Sequence, residues 1–324
     1  MHLDSEKTTA GNSHHEHDHA PNEKSDHGCH DHSHEHYDHH HHDHSHSHDH
    51  SHSHDHCPQP LDGKRGILLT AFGCALPHTH HLYDQFENEV RQQYPDMDIR
   101  WAFTANRIRT KLRKRGIPCL SIAEALSQMV DDGFSHVAIQ SLHTVPGVEY
   151  DWVVQQAQGM CHPRKGLTQI SIGAPLLHVM EDLEQTVEAI ARYLPFERKE
   201  SDGVILVGHG TYHKGHTFYM ALEGLLSRTL PNVVVGTLMD KTGPTSLGEH
   251  FLDKGIKRVF LIPFMCVPGH HVQVDLFGQS QHAWRSTLSA MGIEVVPVTK
   301  GTLEHDDFRS IWHKHLDKAV HELE

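Results

Sequence analysis

Short apolar runs alternate with amphipathic stretches along the chain from residue 61 onward. Two runs of the same form, Gly66–Gly73 and Gly203–Gly210, are rich in Ile, Leu and Val and end in glycine, which is typical of buried strands. Further strands are predicted at Asp98–Phe103, Thr168–Ile172, Val233–Thr237 and Glu294–Val298. Helices are predicted between them and at the end of the chain, over Ile122–Val130, Leu176–Leu194 and Phe308–Leu323. This alternation predicts parallel sheets with helices on both faces.

The second part of this pattern repeats the first. The segment Phe134–Gly147 matches Gly255–Gly269, and in each a strand-like run leads into Val-Pro-Gly and then a polar segment. Two strand–loop matches in the same order predict a duplicated α/β unit. We therefore expect an α/β fold with two similar halves, residues 61–198 and 199–324, and a final helix that packs back on the first half.

Histidine is the most unusual feature of the composition. The chain has 39 histidines among 324 residues, and 21 of them lie between His2 and His56. Residues 1–60 contain almost no apolar side chains and cannot bury enough surface to offset the entropy of ordering, so we expect a disordered tail there. Its imidazoles suit Ni²⁺, Co²⁺, Zn²⁺ or Cu²⁺, and they are densest at His39, His40, His41, His42, His44, His46, His48 and His50. The alternative is a solubilising tail with incidental metal affinity.

Charge and motifs exclude several classes of protein. Most of the net charge of −14 belongs to the tail, and the nearly neutral remainder lacks the basic surface that nucleic-acid binding requires. The six cysteines form no C-x-x-C pair, which argues against a zinc ribbon and fits a reducing compartment. Neither a secretory signal nor an apolar run of about 20 residues occurs, so we expect a cytoplasmic protein without a membrane span. Nucleotide-binding and hydrolase motifs are missing, and a homo-oligomer is compatible with these features.

Several histidines directly follow predicted strands. In open parallel sheets ligands bind beyond the carboxyl ends of the strands, which selects His143, His209 and the pair His270–His271. The glycines on either side of His209, Gly208 and Gly210, would let a planar ligand or a metal approach the backbone closely. Each histidine alone could be an ordinary core or loop residue. Their recurrence at equivalent strand ends of a duplicated fold favours a functional role.

A basic stretch, Arg107–Arg115, holds six cations in nine residues. One interpretation is a solvated helix face. The other is a surface that binds carboxylates or phosphates, because the arginine guanidinium offers two parallel donors to a planar anion.

Five motifs occur in a fixed order along the chain: Gly66–Gly73, Arg100–Thr104, Ile139–His143 with Gly147–Tyr150, Val207–Gly210 and Val267–His271. Together they resemble the anaerobic cobalt chelatases, which are sirohydrochlorin cobaltochelatases of the class II chelatase superfamily that also contains ferrochelatase. The resemblance covers nearly all of residues 66–324 and does not cover the histidine tail. It implies two flavodoxin-like halves with tetrapyrrole and metal in the cleft between them. It also implies Co²⁺ as the substrate metal, with neither ATP nor an organic cofactor.

The resemblance assigns roles to individual residues by position. His143 looks like the catalytic histidine that serves as base and metal ligand, and His209 looks like the second metal-binding histidine. His271 stands at the third metal-binding position, while His270 before it leaves open which of the two faces the metal. Glu149 matches an acidic position that would assist proton removal. We further expect tetrapyrrole contacts from Phe72, Gly73, Arg107, Arg109, Gly208 and Gly210.

These roles agree with the chemistry of the residue types. Metal insertion removes two pyrrole protons while the metal sheds water, and neutral imidazoles both ligate Co²⁺ and accept protons near neutrality. We therefore expect insertion of Co²⁺ into sirohydrochlorin on the anaerobic route to cobalamin. The alternatives are the same fold inserting Ni²⁺ or Fe²⁺ into a tetrapyrrole, and a non-enzymatic metal-storage protein or metallochaperone.

Overall fold

A computed structural model describes residues 63–240 and 243–323 of the chain. The chain separates into two units, Met1–Asp55 and His56–Glu324, and every described residue belongs to the second. The predicted tail, residues 1–60, lies outside the described residues together with its histidines. Its expected disorder and metal binding stay predictions.

The first part of the described chain forms a four-stranded parallel sheet with the order β2-β1-β3-β4. Its strands are β1 (Lys64–Ala71), β2 (Asp98–Phe103), β3 (Phe134–Ser141) and β4 (Gln169–Gly173). Its helices are α1 (His80–Gln93), α2 (Asn106–Arg113), α3 (Ile122–Asp131), α4 (Val148–Met160) and α5 (Met180–Tyr193). Consecutive residues of β1 are fully buried, as expected for a strand whose two faces are both covered.

The second part repeats this arrangement with the order β6-β5-β7-β8, again entirely parallel. Its strands are β5 (Gly203–Gly208), β6 (Val233–Thr237), β7 (Arg258–Pro263) and β8 (Glu294–Pro297). Its helices are α6 (Thr217–Thr229), α7 (Pro244–Asp253), α8 (Trp284–Ala290) and α9 (Asp306–His321). The expected α/β fold with two similar parallel sheets is confirmed.

One predicted helix starts later than its apolar pattern suggests. The pattern begins at Leu176, whereas α5 begins at Met180. The backbone amides of Leu176 and Leu177 donate to the carbonyl oxygens of residues 143 and 144, both at 2.9 Å. These two leucines are fully buried in a bend beside the end of β3, so their apolar spacing reflects core packing and not a helical turn.

A single apolar cluster joins the two sheets. It contains Leu69 and Phe86 from the first part, Leu206 and Phe260 from the second, and Trp312 from α9, all fully buried. Helix α9 packs against β3 and β4, so the end of the chain covers the first sheet. The two parts therefore hold their strand ends in a defined relation through a shared core.

Two further observations on the described residues concern membrane spans and cysteines. No helix within residues 63–240 and 243–323 is long and apolar enough to cross a membrane. The cysteines at positions 74, 119, 161 and 266 are free thiols.

Candidate functional site

In each sheet the second strand along the chain is added on one side of the first strand, and the later strands are added on its other side. In the first sheet this change of side, the switch point, lies between β1 and β3, and in the second between β5 and β7. Crevices that bind ligands in open parallel sheets form at such points, beyond the carboxyl ends of the strands. The predicted site residues Phe72 and Gly73 follow β1, His143 follows β3, His209 follows β5 and His271 follows β7. The structure therefore assigns all of them to the two switch points.

His143 is buried, with 9% of its surface exposed. Its Nδ1 lies 2.7 Å from the Ser141 hydroxyl, and its Nε2 lies 3.4 Å from the hydroxyl of Thr104, the first residue after β2. Burial lowers the pKa of this imidazole to about 4, because the charged form would lose its hydration. His143 is therefore neutral at physiological pH, with a lone pair available for a proton.

The buried His143 makes folding stability depend on pH. An unfolded histidine titrates near pH 6.5, so between about pH 6.5 and 4 the unfolded chain binds a proton that the folded protein does not. We expect the contribution of His143 to the unfolding free energy to be complete above pH 6.5 and to be about 2 kcal/mol smaller at pH 5. Urea unfolding of the wild type and of His143→Gln at pH 7 and pH 5 measures this. The variant should lose less stability on acidification, and equal losses would contradict the expectation.

His209 and His271 face each other across the second switch point. Their ring centroids are 4.8 Å apart at an interplanar angle of 75°. His209 Nδ1 lies 3.0 Å from the carbonyl oxygen of Gly210, and His271 Nδ1 lies 2.6 Å from Asp275 Oδ2. Since carbonyl and carboxylate oxygens only accept, both Nδ1 atoms carry the proton and both Nε2 lone pairs are left for a metal. His270 is exposed with its ring 6.2 Å from that of His271, so the geometry favours His271 as the partner of His209.

The three histidines expected to hold the metal are not gathered into one ligand set. Within residues 63–240 and 243–323, no three His, Cys, Asp or Glu side chains are placed to hold a metal ion together. The structure brings the rings of His209 and His271 together, whereas the side chain of His143 is hydrogen-bonded to Thr104 and Ser141. Two imidazoles alone would leave coordination positions of a bound metal ion for other ligands.

Contacts between the two halves surround this region. His213 Nδ1 lies 3.2 Å from the Pro146 carbonyl oxygen, and His213 Nε2 lies 3.1 Å from Asp151 Oδ2 in the first turn of α4. The buried Tyr219 hydroxyl is hydrogen-bonded to the Thr144 side chain and to the Gly210 backbone. One phenol therefore connects the residue that follows His143 with the residue that follows His209.

The glycines of the site are explained by their surroundings in the protein. A Cβ atom on Gly208 would lie 2.5 Å from the Tyr219 ring, and one on Gly210 would lie 2.6 Å from the Thr237 hydroxyl. Gly210 and Gly73 also have φ values of 79° and 95°, which favour glycine. Packing and backbone conformation are thus sufficient reasons for glycine here, and their tetrapyrrole contacts stay a proposal.

Two other predicted residues lie near the site without partners that define a role. Glu149 is half-buried in the first turn of α4. Phe72 is 42% exposed, and its ring centroid lies 6.4 Å from that of His209 in the other half. Phe72 therefore presents an apolar ring beside the histidine pair.

The cations of the basic stretch Arg107–Arg115 differ in their surroundings: some make hydrogen bonds within the protein, and others are exposed. Arg109 Nη1 donates to the carbonyl oxygens of Phe103 and Thr104, at 2.6 and 2.8 Å. Its other terminal nitrogen donates to Asn106, so most of its donors are already used where β2 leads into α2. Arg107 lies exposed on α2. The prediction of a carboxylate contact is thus better supported for Arg107 than for Arg109, which instead holds Thr104 near His143.

Comparison with known proteins identifies the family. The sequence profile of the cobalt chelatase (CbiK) family matches residues 65–321. The chain belongs to this family. It is 36% identical over 265 residues to the sirohydrochlorin cobaltochelatase CbiKC of Nitratidesulfovibrio vulgaris, covering 81% of this chain and 92% of that protein. It is 29% identical over 259 residues to the sirohydrochlorin cobaltochelatase of Salmonella typhimurium, covering 79% of this chain and 97% of that protein.

Solved structures show the same fold at low sequence identity. SirB from Bacillus subtilis with Fe³⁺ superposes with a TM-score of 0.53 at 16% identity, covering 80% of this chain and 97% of that one. The sirohydrochlorin chelatase SirB from Bacillus subtilis subspecies spizizenii with cobalt gives 0.52 at 13% identity, covering 80% and 96%. The family resemblance and the chelatase-like fold expected from the motifs are confirmed.

The geometry also shows residues that sequence reasoning missed. Asp275, Thr104 and Ser141 touch the candidate histidines, and Tyr219 connects their loops. Asp275 follows His271 by four residues, a spacing that places two side chains on one face of a helical turn, and this signal could have found it. Thr104 is distant in sequence from His143, and Tyr219 is distant from Thr144, so only the tertiary structure brings each pair together.

Proposed function

We propose that this cobalt chelatase family member inserts Co²⁺ into sirohydrochlorin, without ATP or an organic cofactor, in the cytoplasmic, anaerobic synthesis of cobalamin. The observation that carries the proposal is the pairing of His209 with His271, ring centroids 4.8 Å apart, in a fold whose other switch point holds the neutral His143. The partner is a small tetrapyrrole, and neither nucleic acid nor a membrane enters the reaction.

The histidine pair would hold the substrate metal. Two neutral imidazoles bind Co²⁺ moderately, and the remaining positions around the ion stay with water until macrocycle nitrogens replace it. An incomplete protein ligand set suits a metal that must leave, because fewer protein–metal bonds break on transfer. His209 and His271 both lie at least partly exposed, which gives the ion access.

His143 would accept a proton during insertion. Two pyrrole N–H protons leave the macrocycle as the Co²⁺–nitrogen bonds form, so two acceptors are needed. A buried imidazole with a lowered pKa is a weak base, but binding of the cation to the macrocycle acidifies the N–H groups that remain. Glu149, in the first turn of α4, is the proposed second acceptor.

The macrocycle would be held by apolar and basic side chains around the switch points. The exposed Phe72 ring beside His209 suits stacking on a flat conjugated ligand. The exposed guanidinium of Arg107 on α2 suits a carboxylate side chain of sirohydrochlorin, with smaller contributions from the backbone at Gly73, Gly208 and Gly210.

The direct test is anaerobic incubation with sirohydrochlorin and Co²⁺, followed by the absorption change of the macrocycle. The wild type should exceed the spontaneous rate, and His143→Ala and His209→Ala should each approach it. A wild-type rate equal to the spontaneous one would refute the proposed function.

Removal of residues 1–62 separates insertion from metal storage. The family profile begins at residue 65, so we expect the shortened protein to keep its rate at saturating Co²⁺. At scarce Co²⁺ its rate should fall, because the 21 histidines between His2 and His56 no longer concentrate the metal. Rates measured across a range of total Co²⁺ check this. Complete loss of insertion at every concentration would instead favour a protein that acts through its tail.

A further inference from the structure

The two imidazoles of the histidine pair are held by different acceptors. The Nδ1–H of His209 points to a neutral backbone carbonyl, whereas that of His271 points to the carboxylate of Asp275 at 2.6 Å. Asp275 and His271 are each 44% exposed at their side chains. The pair is therefore chemically asymmetric although its two rings are adjacent.

The backbone builds this contact in an unusual way. Val272–Leu276 forms a single turn of π-helix, and His271 immediately precedes it in helical conformation. The Phe277 amide donates to the Val272 carbonyl oxygen at 3.1 Å, the five-residue span of such a turn. Single π-helical turns recur at functional sites, where they place a side chain that a regular helix would not. Here the turn carries the carboxylate back to the imidazole four residues earlier.

A carboxylate on Nδ1 changes what Nε2 can do. It fixes the tautomer with Nδ1 protonated, holds the ring in one orientation and makes Nε2 a stronger donor to a cation. A backbone carbonyl, as at His209, fixes the tautomer without adding negative charge. The same metal would thus be held more firmly by His271 than by His209.

We propose that Asp275 is a positioning residue of the insertion reaction, which sets through His271 how firmly the substrate Co²⁺ is held before transfer. The proposal rests on the proposed function. Asp275 acts through its hydrogen bond to His271 Nδ1, so its effect is expected on the Co²⁺ step and not on the tetrapyrrole step.

The test compares Asp275→Asn and Asp275→Ala in the full-length protein, at free Co²⁺ concentrations fixed by a metal buffer so that the tail does not alter them. Asparagine keeps an acceptor for Nδ1–H and removes the charge, whereas alanine removes both. We expect the KM for Co²⁺ to rise about tenfold or more for Asp275→Ala and less for Asp275→Asn. The KM for sirohydrochlorin and the thermal midpoint should stay unchanged. Asp253→Asn, an exposed carboxylate on α7, is the matched control and should behave as the wild type.

A double variant shows whether Asp275 acts through His271. In His271→Ala, the further change Asp275→Asn should have no effect on the KM for Co²⁺, because the imidazole that transmits it is gone. An additional rise in that background, or an unchanged KM for Co²⁺ in both single variants, overturns the inference while the proposed function stands. A wild-type protein that does not accelerate insertion overturns the proposed function itself.

Discussion

Replacement of His143 with alanine is expected to slow Co²⁺ insertion by about 100-fold or more, the range that a positioned acid–base group contributes. The imidazole is buried and neutral, and removing it leaves a pyrrole proton without its acceptor. The KM for Co²⁺ should change little, because the metal is assigned to the pair formed by His209 and His271. Steady-state kinetics at fixed free Co²⁺ separate the two constants.

The control for this variant is His250→Ala, which removes an exposed histidine from α7. It should match the wild type in both constants. If His143→Ala raised the KM for Co²⁺ and left kcat unchanged, His143 would be a metal ligand and the base would have to be sought elsewhere.

The substitution Gly208→Ala is expected to reduce activity by displacing Tyr219, whose ring packs against Gly208. The added Cβ would lie 2.5 Å from the ring of the buried Tyr219, which cannot move without disturbing the shared core. We expect Gly208→Ala to lower the unfolding free energy by about 1–3 kcal/mol, as overpacking does. Insertion should fall by up to about 100-fold, because the Tyr219 hydroxyl would no longer align the loops of His143 and His209.

Gly224→Ala is the matched control, since Gly224 lies within α6 and a Cβ there would meet no atom within 4 Å. It should raise stability by about 0.5–1 kcal/mol, the usual gain from replacing a helical glycine, without loss of insertion. Urea unfolding and the anaerobic assay measure both variants. Full activity in Gly208→Ala would show that the link through Tyr219 does not align the histidines.

Local patterns in the chain were sufficient for the fold class. Apolar runs ending in glycine, such as Gly66–Gly73, predicted buried strands because a strand covered on both faces has to be apolar throughout. The repeated Val-Pro-Gly segments predicted a duplication that the two sheets with equivalent strand order confirm. The pattern was wrong where apolar spacing had another cause, as at Leu176, which is buried in a bend before α5.

The sequence could select candidate site residues but not the contacts that they make. Strand-end histidines could be selected because a parallel sheet directs its binding edge to the carboxyl ends of the strands. Which of them lie side by side could not be predicted, since His209 and His271 meet only through the adjacency of β5 and β7. For Arg109, the sequence suggested a contact with the ligand that the tertiary structure supports less well. Its charge suggested a ligand contact, and its position assigns most of its donors to backbone carbonyls.

The sequence by itself determined the alternation of strands and helices, the duplication, the histidine-rich composition and the family. These depend on residue types and on short-range order, which the chain carries before it folds. Only the tertiary structure decided which strands are neighbours, and with them the pairing of His209 with His271, the burial that keeps His143 neutral and the link through Tyr219. The physical reason is that burial and side-chain contacts arise between segments far apart in sequence, which the packing of the two sheets around one core brings together.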